Sequence, residues 1–92
     1  MIKSFRDEEA ERIFNRHHSR RFAELERVIF RKLRALNAAR LPVDLTIPPG
    51  NRLEVLKGNR AGQHSIRINQ QWRICFRWEG TDVYEVEIAD YH

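Results

Sequence analysis

With 92 residues and 11.1 kDa, the chain can build one core and not two, so a single domain over 1–92 is expected. A hydrophobic fraction of 41% against 33% charged is globular composition and excludes a disordered chain. No apolar run exceeds three residues (Val28-Ile29-Phe30 is one), which argues against a membrane helix or a signal peptide, and one cysteine excludes a disulfide framework and a cysteine-built zinc site. A reducing cytoplasm is the expected compartment.

The elements read in chain order as strand, helix, helix, then strands. Residues 1–5 are predicted as a short strand. Asp7, Glu8 and Glu9 follow, acids suited to the positive end of a helix, with Ser4 as its cap and Asp7 three residues on. Ala10, Ile13 and Phe14 give this first helix one apolar stripe, and His17-His18-Ser19 breaks it. A second helix is predicted from about 20 to 37, with Phe22, Leu25, Val28, Ile29, Leu33 and Leu36 at helical spacing. Arg31, Lys32 and Arg34 fall in its last turns, where cations suit the negative end. Pro42, Pro48, Pro49 and Gly50 make 41–51 a loop with at most one helical turn.

Beyond that loop the apolar period falls to 2. His64, Ile66 and Ile68 alternate with Ser65 and Arg67; Trp72, Ile74, Phe76 and Trp78 with Arg73, Cys75 and Arg77; Tyr84, Val86 and Ile88 with Val83, Glu85 and Glu87. A further strand is predicted over 52–56, and turns at 69–71 and 79–82 make the rest a meander. The expected fold class is α+β, with two amino-terminal helices packed on one face of a small antiparallel sheet. Trp72, Ile74, Phe76, Tyr84, Val86 and Ile88 are predicted to pack, and Ser65, Arg67, Arg73, Cys75 and Arg77 to line the open face.

Charge is unevenly placed. Residues 1–26 carry six basic and six acidic groups. Residues 27–77 carry eleven basic residues against Asp44 and Glu54, and 78–92 carry five acids and no Lys or Arg. Fourteen of the seventeen basic residues are Arg, whose planar fork matches phosphate, so a polyanion partner is expected.

The run from Arg52 through Leu56-Lys57-Gly58-Asn59-Arg60-Ala61-Gly62, then His64-Ser65-Ile66-Arg67-Ile68-Asn69 and Gln71-Trp72-Arg73-Ile74-Cys75-Phe76, resembles one family. So does the ending Val86-Glu87-Ile88-Ala89-Asp90-Tyr91-His92. They are similar to the HigB-type toxins, or plasmid-maintenance killer proteins, of the RelE/ParE superfamily. The resemblance implies a RelE-like fold and a ribosome-dependent endoribonuclease that cuts mRNA in the A site. It also implies a HigA-type helix-turn-helix antitoxin as partner, with operator DNA met only through that complex. Matching motif positions are Lys57, Arg73, Asp90, Tyr91 and His92. Many relatives have His where this chain has Glu54, which leaves open which group abstracts the proton.

The same residues make chemical sense. RNA cleavage by side chains alone needs a base for the 2′-OH, a cation for the phosphorane charge, and an acid for the departing oxygen. Glu54, Arg73 and His92 are candidates for those roles, and no cofactor or metal is expected. Asp90 is placed to raise the His92 pKa, Tyr91 to stack on a base, and Lys57 to contact phosphate beside Gly58 and Gly62. Arg52, Arg60, Arg67 and Arg77 are the candidate RNA-backbone contacts. Duller explanations compete: Asp90-Tyr91-His92 as a frayed end, Arg73 as a cross-strand partner of Glu85 or Glu87, Glu54 and Lys57 as a solvated pair. His17-His18 lacks a third ligand at metal spacing, His64 is in phase with core residues, and Cys75 has no catalytic neighbour in sequence. Rival functions are a ParE-like gyrase inhibitor and a catalytically dead RNA-binding module.

Overall fold

The change of apolar period after the proline-rich loop divides the chain into a helical layer and a sheet. The computed structural model describes residues 1–90, so Tyr91 and His92 lie outside the described residues. Helix α1 spans Glu8–Phe14 and α2 spans Glu26–Ala38; strands β1 (Glu54–Val55), β2 (Gln63–Arg67), β3 (Trp72–Glu79) and β4 (Asp82–Asp90) follow. The four strands form an antiparallel sheet in the order β1-β2-β3-β4. Ala10, Ile13, Phe22, Ile29, Leu33 and Leu36 from the helical layer close over Ile66, Ile74, Phe76, Val83, Val86 and Ile88 from the sheet. Burying such side chains contributes about 1.5–3 kcal/mol each, which holds the two layers together.

Several boundaries differ from the sequence reading for local reasons. Residues 1–5 form no strand of their own; Ile2 and Phe5 make isolated parallel bridges to Val83 and Val86 of β4. Asp7, not Ser4, caps α1: its carboxylate accepts from the Glu9 N–H at 2.8 Å and from the Ile88 N–H at 3.0 Å. Helix α2 starts at Glu26 rather than near residue 20. The Ser19 hydroxyl accepts from the Phe22 N–H at 3.2 Å, and a 3-10 turn over Ala23–Leu25 fills the gap. The 41–51 loop holds two 3-10 turns, Pro42–Leu45 and Pro49–Asn51, where one at most was expected.

The sheet alternates as predicted until β4. There Glu85 takes a left-handed φ of 56°, and the register with β3 shifts between Cys75 and Arg77. This bulge reverses the side-chain phase, so Val83 is fully buried and Tyr84, predicted for the core, faces the other side beside Arg77. Ser4 serves the bulge instead of the helix, its hydroxyl accepting from the Glu85 N–H at 2.9 Å.

Candidate active site

Arg73 lies at the middle of the site, on strand β3, and among the described residues its side chain is held by Ser65 and by the Arg52 carbonyl. Its Nε donates to Ser65 Oγ at 2.7 Å, and its Nη2 donates to the Arg52 carbonyl at 2.5 Å and to the Ser65 carbonyl at 3.3 Å. Glu54 Oε2 stands 4.0 Å from the same Nη2, an ion pair whose carboxylate remains about half exposed. The face predicted to be open is therefore closed around the arginine: Ser65 is fully buried and Arg73 is 6% exposed. A guanidinium buried this deeply needs its hydrogen bonds, since leaving a buried charge unsatisfied costs several kcal/mol.

The backbone at Arg52 contributes to that arrangement. Its φ of 44° is left-handed, an uncommon state for a residue with a Cβ, and its carbonyl accepts from Arg73 alongside that of Ser65. Strand β1 then places Glu54 opposite Ser65. Arg52, Glu54, Arg67, Asn69, Gln70 and Arg73 line a concavity of about 470 Å³ at one end of the sheet. Three arginines and one carboxylate around a polar hollow suit an anionic ligand with a proton to remove.

Of the other sequence-predicted residues, Arg67 belongs to this concavity, its Nε donating to the Asn69 carbonyl at 3.1 Å. Lys57 is exposed, ahead of the 3-10 turn Gly58–Arg60, and is not among the lining residues. Arg60 donates to Glu87 at 2.6 Å and to Gln63 at 3.1 Å, and Arg77 pairs with Glu79 at 3.0 Å and Glu85 at 3.4 Å. Both of these arginines are engaged by carboxylates outside the concavity. Asp90 pairs with Trp72 across the β3–β4 ladder and accepts from Gln71 Nε2 at 3.1 Å. Its neighbour Ala89 is the register partner of Arg73, so the last pairs of β4 lie at the end of the sheet where the arginine stands. The assignments to Tyr91 and His92 fall outside the described residues.

A family model of the RelE-like toxin HigB of type II toxin–antitoxin systems matches residues 3–92. The chain belongs to the HigB-like toxin family. Toxin HigB-1 of Vibrio cholerae serotype O1 is 42% identical over 80 residues, which are 85% of this chain and 84% of that protein. Endoribonuclease HigB of Proteus vulgaris is 42% identical over 41 residues, 45% of each chain. Among solved structures, the YoeB–YefM toxin–antitoxin complex of Staphylococcus aureus includes a chain with a TM-score of 0.62 and 18% identity. That match covers 100% of this chain and 95% of the other, a likeness of fold. Two helices over a four-stranded antiparallel sheet are thus the RelE-like fold of that family.

Parts of the site not singled out from sequence include the Ser65 hydroxyl, the Arg52 carbonyl, and the lining residues Asn69 and Gln70. Alternation placed Ser65 on the face of Arg73, but a serine at that position carries no signal of burial. A backbone carbonyl carries none at all. Cys75, on the same face, is buried, and burial pushes its thiol pKa up while the Arg60 guanidinium opposes the shift. Among the described residues no three His, Cys, Asp or Glu side chains gather as a metal ion would require, and no helix is long and apolar enough to cross a membrane.

Proposed function

We propose that this toxin is an endoribonuclease that cuts mRNA in the ribosomal A site and is restrained in the cytoplasm by a HigA-type helix-turn-helix antitoxin. Contact with operator DNA would come only through that complex. The observation that carries the reading is the buried, oriented Arg73 guanidinium with the Glu54 carboxylate 4.0 Å away at the same concavity. The family match and the endoribonuclease name of a partial relative support it.

The chemistry runs as a transesterification. Glu54 takes the proton of the 2′-OH, the freed oxygen attacks the adjacent phosphorus, and the bond to the 5′ oxygen breaks. His92 protonates that departing oxygen. The products are a 2′,3′-cyclic phosphate and a 5′-hydroxyl. Arg73 stabilises the extra negative charge of the phosphorane, an interaction stronger in the transition state than in the ground state. Arg52, Arg67 and Lys57 hold the neighbouring phosphates, Tyr91 stacks on a base, and Asp90 supports His92 as the acid. The ribosome supplies what a shallow site on one end of a small sheet does not, a message already held in one geometry.

The test is translation in a purified system with mapping of mRNA 5′ ends, run beside a DNA-supercoiling assay. Cleavage of ribosome-bound message, with naked message left intact, is the expected result. Inhibition of gyrase without any new mRNA end would replace the reading with the ParE-like one. Message cut equally well without ribosomes would remove the A-site part.

A further inference from the structure

The helical layer carries a second cationic surface, on the outer side of α2 and away from Arg73. Arg27, Arg31 and Arg34 are all exposed and fall on one stripe of that helix, opposite the buried Ile29, Leu33 and Leu36. They span about 10 Å of helix axis at 1.5 Å per residue. A fourth arginine joins them from the end of α1. Arg16 takes a left-handed φ of 62°, and its guanidinium lies over the Phe30 ring at 4.5 Å, while that of Arg34 is 5.8 Å from the same ring. Arg16, Arg27 and Phe30 share a hollow of about 300 Å³ with Ile13, His17, His18 and Glu26.

Among the described residues, none of Arg16, Arg27, Arg31 and Arg34 makes an ion pair. The carboxylate lining the hollow, that of Glu26, is instead engaged by His18 Nδ1 at 2.9 Å and by the Ser19 N–H. Four like charges gathered on one face repel one another in the free protein, and a polyanion laid across them relieves that repulsion. Arg60, paired with Glu87, and Arg77, paired with Glu79 and Glu85, stand in contrast to the stripe.

We infer that this stripe docks on the phosphate backbone of a structured RNA, separate from the strand that is cut. The inference rests on the proposed action at the ribosome, whose surface is largely such RNA. The composition of the stripe favours RNA over a protein partner. Its other exposed members are Ala35 and Ala38, and none of the large exposed apolar residues (Met1, Leu41, Val43, Ile47, Val55) belongs to it. Protein interfaces gather aromatic or aliphatic anchors around a dry centre, whereas nucleic-acid interfaces are cationic and wet. Phe30 is half-buried beneath its two guanidiniums and holds them in place.

The double variant Arg27→Gln/Arg34→Gln tests the inference, with Lys3→Gln/Arg6→Gln as a control of equal charge, and thermal melts confirm that both fold. Binding to purified, mRNA-programmed bacterial ribosomes is measured by cosedimentation from about 50 to 200 mM salt. Two lost phosphate contacts should flatten the salt slope by about 1.8, so the parent should lose roughly tenfold more affinity than the double variant over that range. The control should keep the parent slope. An unchanged slope in Arg27→Gln/Arg34→Gln, or an equal change in the control, overturns the inference. So does an unchanged ribosome slope joined to weaker binding of the helix-turn-helix antitoxin, which would give the stripe to a protein. Because this is a binding measurement, it is read whether or not the parent cuts; absence of cleavage by the parent counts against the nuclease reading alone.

Discussion

Arg73 and Ser65 meet diagonally across the β2–β3 ladder, Nε to Oγ at 2.7 Å, although their register partners are Arg67 and Cys75. The diagonal reach turns a cross-strand neighbour into an oriented clamp, because the Ser65 carbonyl also receives Nη2. On the proposed mechanism Ser65 acts through Arg73, as a positioning residue. Ser65→Ala should lower single-turnover cleavage about tenfold, or about 1.4 kcal/mol of barrier, with a smaller change in half-saturating ribosome concentration. It should also cost about 1–3 kcal/mol of stability, since a buried N–H loses its acceptor. A melt that shifts with no change in cleavage rate would make the contact purely structural.

Arg73→Lys tests whether the fork or merely the charge matters. Lysine offers one compact donor head and cannot reproduce contacts to Ser65 and to the Arg52 carbonyl together. Losing an oriented donor to a developing oxyanion costs about 100- to 1,000-fold in rate. A loss of that size is expected in programmed-ribosome cleavage, and retention of activity would reduce Arg73 to a source of field.

Much of this fold was legible, and what was not has identifiable causes. The change from helical to alternating spacing located the helices, the meander and the partners of the core. Alternation failed at Tyr84 because a bulge at Glu85 inverts the phase, and both Val83 and Tyr84 are acceptable on either face. Ser4 and Asp7 are both good caps, and sequence does not show that Ser4 would be drawn to the Glu85 N–H instead. At the site, residue chemistry and the resemblance put Glu54, Lys57 and Arg73 in one set and Arg52, Arg60, Arg67 and Arg77 among the backbone contacts. Lys57 is not among the residues lining the concavity, whereas Glu54, Arg73, Arg52 and Arg67 line it together. Arg60 and Arg77 were indistinguishable from them by composition. Only the tertiary arrangement shows that Glu87, Glu79 and Glu85 engage the pair.

Cys75 should be inert at neutral pH and should tie stability to alkaline pH. Burial favours its neutral thiol, so the folded pKa is raised above the unfolded value of about 8.5. A raised folded pKa means that the contribution is fully present below about 8.5 and is lost as pH rises through the folded value. Iodoacetamide should label the thiol in denaturant and leave the native protein unlabelled near neutral pH. In melts run from neutral to alkaline pH, Cys75→Ala should show a shallower alkaline fall than the parent. Rapid labelling of the native protein would contradict the burial.

Glu54 is the residue whose role the geometry narrows most. It stands at the limit of ion-pair distance from Arg73, half exposed at the mouth of the concavity, with its register partner Ser65 buried behind it. A carboxylate devoted to bracing Arg73 would be expected closer and more enclosed. One left partly open is accessible to a 2′-OH. Glu54→Gln preserves shape and hydrogen bonding but cannot accept a proton, and Glu54→Ala removes both. If Glu54 is the base, the two should lose cleavage to a similar degree, roughly 100- to 10,000-fold for a general base. If it only steadies Arg73, Gln should cut close to the parent rate while Ala falls. Glu54→His, which restores the residue that the resemblance places there in many relatives, should recover part of the rate. It should also introduce a pH dependence near about 6.5, with activity rising as the imidazole loses its proton. Single-turnover cleavage of programmed ribosomes across pH separates these outcomes, and parent-like cleavage by Glu54→Gln at every pH would move the base elsewhere in the chain.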